Sequence, residues 1–159
     1  MSHEELCINT AIASWKQVVV RLDELFQAFK DEELQQQISP GRNRVYYLMG
    51  HLTVVHDRLF PLLNLGDRLH AELDEAFLTS PDRAHLDEVA PTSLRDAWSE
   101  VNSKLTLAIE QLSPEQWLEK HSAVSDEDFA NEPLRNRLSI LLGRTNHASF
   151  HAGQLRLAR

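Results

Sequence analysis

The apolar positions of the chain fall into four stripes that step by three or four residues, the spacing that lines side chains along one face of an α-helix. Ile8, Ile12, Trp15, Val19, Leu22, Phe26 and Phe29 make the first stripe and predict one long opening helix. The turn signal Ser39-Pro40-Gly41 separates it from the second, made by Val45, Leu48, Leu52, Val55, Leu59 and Leu62 and running toward Pro61 and Gly66. The third is expected to begin after Pro91, with Thr92 or Ser93 capping its first turn, and to pass through Leu94, Trp98, Val101, Leu105, Ala108 and Leu112 before "LSPEQW" ends it. The fourth is expected from Glu132 or Pro133 and carries Leu134, Leu138, Leu141, Ala148, Ala152 and Leu155. Strand-like alternation, internal repeats and low-complexity tracts are absent.

Four amphipathic helices, each with one apolar face, bury those faces most economically against a shared axis. The expected fold is therefore all-α, a four-helix bundle in a single domain over residues 1–159. A long connector joins helices 2 and 3, from Asn64 to Ala90, weakly helical through "DRLHAELDEAF" and turn-like at Ser80-Pro81-Asp82. A connector of that length can cross an end of the bundle, so the topology need not be simple up-down.

Composition narrows the class. With 16 Lys and Arg against 24 Asp and Glu, the net charge is −8 and no dense basic cluster exists, which argues against nucleic acid as a partner. No apolar run approaches the ~20 residues of a membrane helix. Cys7 is the only cysteine, which rules out an internal disulfide and fits a reducing cytoplasm. The opening "MSHEELCINT" lacks the basic start and apolar stretch of a signal peptide. The expectation is a cytoplasmic protein without a membrane span.

The chemistry concentrates in the histidines. His147 and His151 stand four apart in "NHASFHAGQ" and project about 40° apart on one helical face, so both imidazoles can reach one ion. A third ligand must come from another element. His51 is the best placed, one turn from both Leu48 and Val55 on the second helix. His56 lies about 140° around that helix from His51 and cannot share its ion. His3, His70, His85 and His121 fall at a terminus or in connecting segments and are expected to be solvated. Taken alone, such residues read equally as hydrogen-bonded core histidines, since helices produce i, i+4 pairs by chance.

"YYLMGHLTVVHDRLF" and "TNHASFHAGQLRLAR" resemble the two signature helices of the DinB-like (DinB/YfiT) superfamily of bacterial four-helix bundles, which is unrelated to the DNA polymerase sharing the name. "INTAIASWKQVVVRLDELF" and "TSLRDAWSEVNSKLTLAIEQLSPEQW" look like its first and third helices, whereas residues 64–90 match nothing recognisable. The resemblance implies a divalent metal held by His51, His147 and His151, and a homodimer. It also implies two kinds of activity: metal-dependent hydrolysis, or a transfer or isomerisation that uses a low-molecular-weight thiol.

Three neutral imidazoles leave an ion with an open coordination position, which points to chemistry or ligand capture rather than a closed structural site. Imidazole suits zinc, nickel, copper or iron, with zinc or nickel the leading expectation. The function expected is that of a hydrolase or thiol transferase acting on a small molecule; the alternative is a non-catalytic metal- or ligand-binding stress-response protein. Arg44, Tyr47 and Arg144 are candidate substrate contacts, because basic side chains beside a metal favour an anionic substrate, although each arginine could equally form surface ion pairs. Gln154, one turn beyond His151, could support a ligand. No carboxylate stands at helical spacing from His147 or His151, which counts against a zincin-type protease. Ser149 and Cys7 lack a visible base partner, so a protein nucleophile is not expected. Gly50, Gly143 and Gly153 each cost about 1 kcal/mol against alanine inside a helix, a cost that close helix approach would explain.

Overall fold

Ser2 starts the first helix by accepting from the Glu5 amide, while the Glu5 carboxylate accepts from the Ser2 amide, so two otherwise orphaned donors are satisfied reciprocally. The helix, α1 (His3–Ala28), buries Ile8, Trp15, Val19, Leu22 and Phe26. The computed structural model describes residues 1–85 and 87–159, and among these every regular element is helical. After α1 come α2 (Val45–Asp57), α3 (Leu59–Leu62), α4 (Pro91–Glu110), α5 (Pro114–Leu118), α6 (Asp126–Asn131) and α7 (Arg137–Arg156). No helix among the described residues is long and apolar enough to cross a membrane.

The element boundaries depart from the stripes in three places. The second stripe is divided, with α2 stopping at Asp57 and the single turn of α3 continuing it through the buried Leu59. Helix α4 has no side-chain cap. Ala90 occupies the cap position, and Pro91 fills the first helical position, where no amide partner is needed, so neither Thr92 nor Ser93 serves as expected. The fourth long helix begins at Arg137, capped by Asn136 through the Ser139 amide, and not at Glu132 or Pro133. Residues 133–135 form a turn ahead of it, and Asn136 pairs with Lys120 in an isolated bridge before the helix begins. Leu134 is consequently 81% exposed and takes no part in the core.

Packing pairs α1 with α7 and α2 with α4. One buried cluster joins Leu22, Phe26, Leu48, Leu52, Trp98 and Ala152; the other gathers Trp15, Leu59, Leu105, Trp117 and Leu141 toward the opposite end. Each large apolar side chain removed from water in this way contributes roughly 1.5–3 kcal/mol against the entropy of ordering the chain.

The connector is strapped along α2 by charge. Arg44, at the cap position of α2, is buried and binds Asp82 through Nη2 at 2.7 Å and Asp87 through Nη1 at 2.8 Å, with Gln35 as a further acceptor. Tyr46 and Tyr47 donate their hydroxyls to the carbonyls of Val89 and Ser80. At the other end of α2, the fully buried Asp57 accepts from Arg68 Nε (2.8 Å) and from the amides of Leu69 (2.8 Å) and His70 (3.1 Å). The weakly helical stretch becomes a short 3₁₀ turn (Ala71–Leu73) followed by a π-turn (Glu75–Thr79), which packs on α2.

Candidate metal centre

Helices α2 and α7 bring His51, His147 and His151 to one point. His147 Nε2 lies 3.4 Å from His51 Nε2 and 3.1 Å from His151 Nε2. Ligand atoms of all three residues fall within 4.8 Å of one another. Nitrogens bound at roughly 2.0–2.1 Å to one tetrahedral ion would stand about 3.3 Å apart, so the spacing matches a shared cation.

The outer nitrogens fix the tautomers. His51 Nδ1 donates to the Phe77 carbonyl at 3.0 Å, and His151 Nδ1 donates to Gln154 Oε1 at 2.7 Å. Both rings therefore present a bare lone pair at Nε2, and both lone pairs face His147 Nε2. A single proton on His147 could satisfy only one of them. One cation satisfies all three, and the donor set fits a divalent metal on these grounds.

The Phe77 carbonyl reaches His51 because the π-turn lies unusually close to α2. A Cβ built at Gly50 would fall inside the Phe77 ring, which is itself buried and packs on Tyr46 and Tyr47. Gly143 and Gly153 have nothing within 4 Å of such a Cβ, so close approach explains only the first of the three glycines. Gly50→Ala should accordingly lose about 1–3 kcal/mol by overpacking and bind metal more weakly, as the turn and its carbonyl are pushed off His51. Gly143→Ala should be neutral or gain up to about 1 kcal/mol from helix propensity. Urea midpoints and metal titrations of the two variants test the account, and equal behaviour would refute it.

Burial holds the site neutral. His51 and His151 are shifted below the usual imidazole range chiefly by desolvation, and His147 is lowered to about 4 by desolvation and then by the charges of His151 and His51. At neutral pH the three rings are thus ready to ligate without first losing protons. The Tyr47 ring stacks nearly parallel to His51, at 10° and 6.2 Å between centroids, and Phe150, 62% exposed, meets His151 edge-on at 5.3 Å. Arg144, one turn before His147, is half-buried, and its Nε has no partner among the described residues.

The remaining candidates disperse. Arg44, expected beside the metal as half of a basic pair, has its guanidinium committed to Asp82 and Asp87 of the connector. Helical spacing put its Cα in line with His51, but the side chain follows its carboxylate partners. Gln154 does support His151. His56 is fully buried between Trp15 and Trp98, with Nδ1 donating to Asn102 Oδ1 at 2.7 Å. His121, expected to be solvated, is buried as well, and its Nδ1 accepts from the Ala123 amide. His70 and His85 lie at the rim of the connector beside Glu72, Glu100 and Ser80. Ser149 and Cys7 are exposed. Sequence reasoning missed Phe77, whose contribution is a main-chain carbonyl; the only trace it leaves is the glycine before His51.

The DinB superfamily pattern matches residues 14–155, nearly the whole chain, and the chain belongs to that superfamily. No curated protein matches it. Among solved structures it is similar to a conserved protein from Enterococcus faecalis, at 20% identity and a TM-score of 0.64, over 99% of this chain and 95% of that one. At that identity the likeness speaks to the fold.

Proposed function

We propose that the chain is a single-domain four-helix bundle that holds one divalent ion through His51, His147 and His151 and acts on a small molecule as a metal-dependent hydrolase or low-molecular-weight-thiol transferase. The observation that carries the reading is the convergence of three Nε2 atoms, two of them with their lone pairs fixed by acceptors on the far side of the ring. When bound, a divalent ion of zinc or nickel type would supply Lewis acidity and, with only three protein ligands, room for a water or a thiolate. The chain's own contributions are distinct. The Phe77 carbonyl and Gln154 orient the ligand rings, Tyr47 walls the His51 side, and Arg144 adds positive charge. No carboxylate shares the cluster among the described residues, which counts against a glutamate base of the zincin kind.

We further propose a homodimer as the assembled state and the cytoplasm as the compartment; the exposed free thiol of Cys7 suits a reducing one. Cobalt(II)-loaded protein tests the catalytic reading. Its visible bands should shift when 2-mercaptoethanol is added and should titrate with pH near 7. Bands that respond to neither would mean a closed centre and a purely binding role.

A further inference from the structure

We infer that Arg144 anchors a carboxylate of the small molecule that engages the three-histidine centre, an assignment that rests on the metal-dependent reading above. Arg144 lies three residues before His147, so the two side chains share a face of α7. That face of α7 carries His147 to within 3.4 Å of His51 on α2, so the turn before it sets Arg144 on the same α2-facing side, beside the centre.

What distinguishes Arg144 from its neighbours is the lack of an answer to its charge. Arg44 is bound by Asp82 and Asp87, Arg58 by Asp74, and Arg68 by Asp57 and Asp74. Arg137 also has a buried Nε without a partner, yet its Nη2 lies 3.0 Å from Glu119. Arg144 has no carboxylate and no hydrogen-bond acceptor among the described residues, and its Nε is buried. Carboxylates are not scarce, since the chain carries 24 acidic residues against 16 basic ones. Burial disfavours the charged form here, but a guanidinium stays protonated at neutral pH, so the cost of burying it is borne in the free protein. A carboxylate arriving with a ligand relieves that cost, and the planar fork is shaped to take it in a bidentate pair. The ligand class that follows has a metal-binding head and a carboxylate within reach of the next turn of α7.

The test uses the cobalt(II)-loaded protein and two probes of equal length, 3-mercaptopropionate and its neutral analogue 3-mercaptopropionamide, with affinities read from the visible spectrum. Wild type should prefer the acid. Arg144→Gln should cut that preference about ten- to a hundredfold, the value of a charge-assisted pair, while cobalt content and the affinity for the amide stay within about twofold. Arg144→Lys keeps the charge without the fork and should fall between the two. A preference unchanged in both variants, with cobalt still bound, overturns the anchor and leaves the metal reading standing. Wild-type protein that takes up no cobalt overturns both.

Discussion

His51→Ala is expected to emerge from purification without metal, as completely as His147→Ala, while the wild type carries close to one divalent ion per chain. The reason is geometric. Helix α7 alone supplies two nitrogens, 3.1 Å apart, and a pair of ligands on adjacent turns cannot enclose an ion. His51 delivers the third nitrogen across the α2–α7 interface, 3.4 Å from His147 Nε2 and already turned by its bond to the Phe77 carbonyl. Removing an orienting partner of a ligand typically costs 10–100-fold in affinity, so removing the ligand itself should cost more. The measurement is elemental analysis of untagged protein that has never met a nickel column. Full occupancy in His51→Ala would sink the three-ligand assignment. Metal binds the folded state, so the wild type should also gain thermal stability on metal addition that the variant does not.

Acid should unfold the metal-free protein early, and His56 should be the largest single reason. Its ring is wholly buried between two tryptophans, and desolvation lowers its pKa from 6.5 to about 3, against the partial support of Asn102 and with the charges of Arg144, His147 and His51 adding to the depression. Unfolded chains take up the proton near pH 6.5, whereas the folded chain resists it down to about pH 3. Between those values the unfolded state binds more protons, so stability is complete above about pH 6.5 and falls as pH drops through the window, by up to about 1.4 kcal/mol per pH unit. Over the whole window the loss is on the order of 5 kcal/mol, a large part of the ~5–15 kcal/mol that stabilises a typical domain. His51, His147 and His151, also shifted downward, add to the slope when no metal is present. His56→Leu leaves Asn102 Oδ1 without its donor and should be less stable at pH 7. Its stability should nonetheless fall less steeply between pH 6.5 and 4.5. Urea unfolding at a series of pH values reads that slope, and identical slopes in the two proteins would remove His56 from the account.

How far the sequence could be read follows from what periodicity encodes. It records which side of a helix is buried, and so Trp15, Leu22, Leu52, Trp98 and Leu141 were legible as core. It also placed His51 correctly, because a residue one turn from both Leu48 and Val55 must border that core. It does not record where a helix stops when local chemistry intervenes. The break after Asp57 reflects a carboxylate turned to the connector, and α7 starts only where the Asn136 side chain caps the Ser139 amide. Long side chains are less legible still. Arg44 shares a face with His51 in helical projection, yet its partners Asp82 and Asp87 lie in a segment without periodicity, so its direction could not be foreseen. His56 was excluded from the metal by angle, but nothing in the sequence announced Asn102 as its partner.

The tether on His51 comes from the peptide unit of Phe77, and every residue has such a unit. Substitution in the connector therefore cannot delete the acceptor; it can only move the path on which the acceptor lies. What the His51 tether asks of this segment is its route, a main chain that passes over the same glycine at the same height, whatever side chains hold it there.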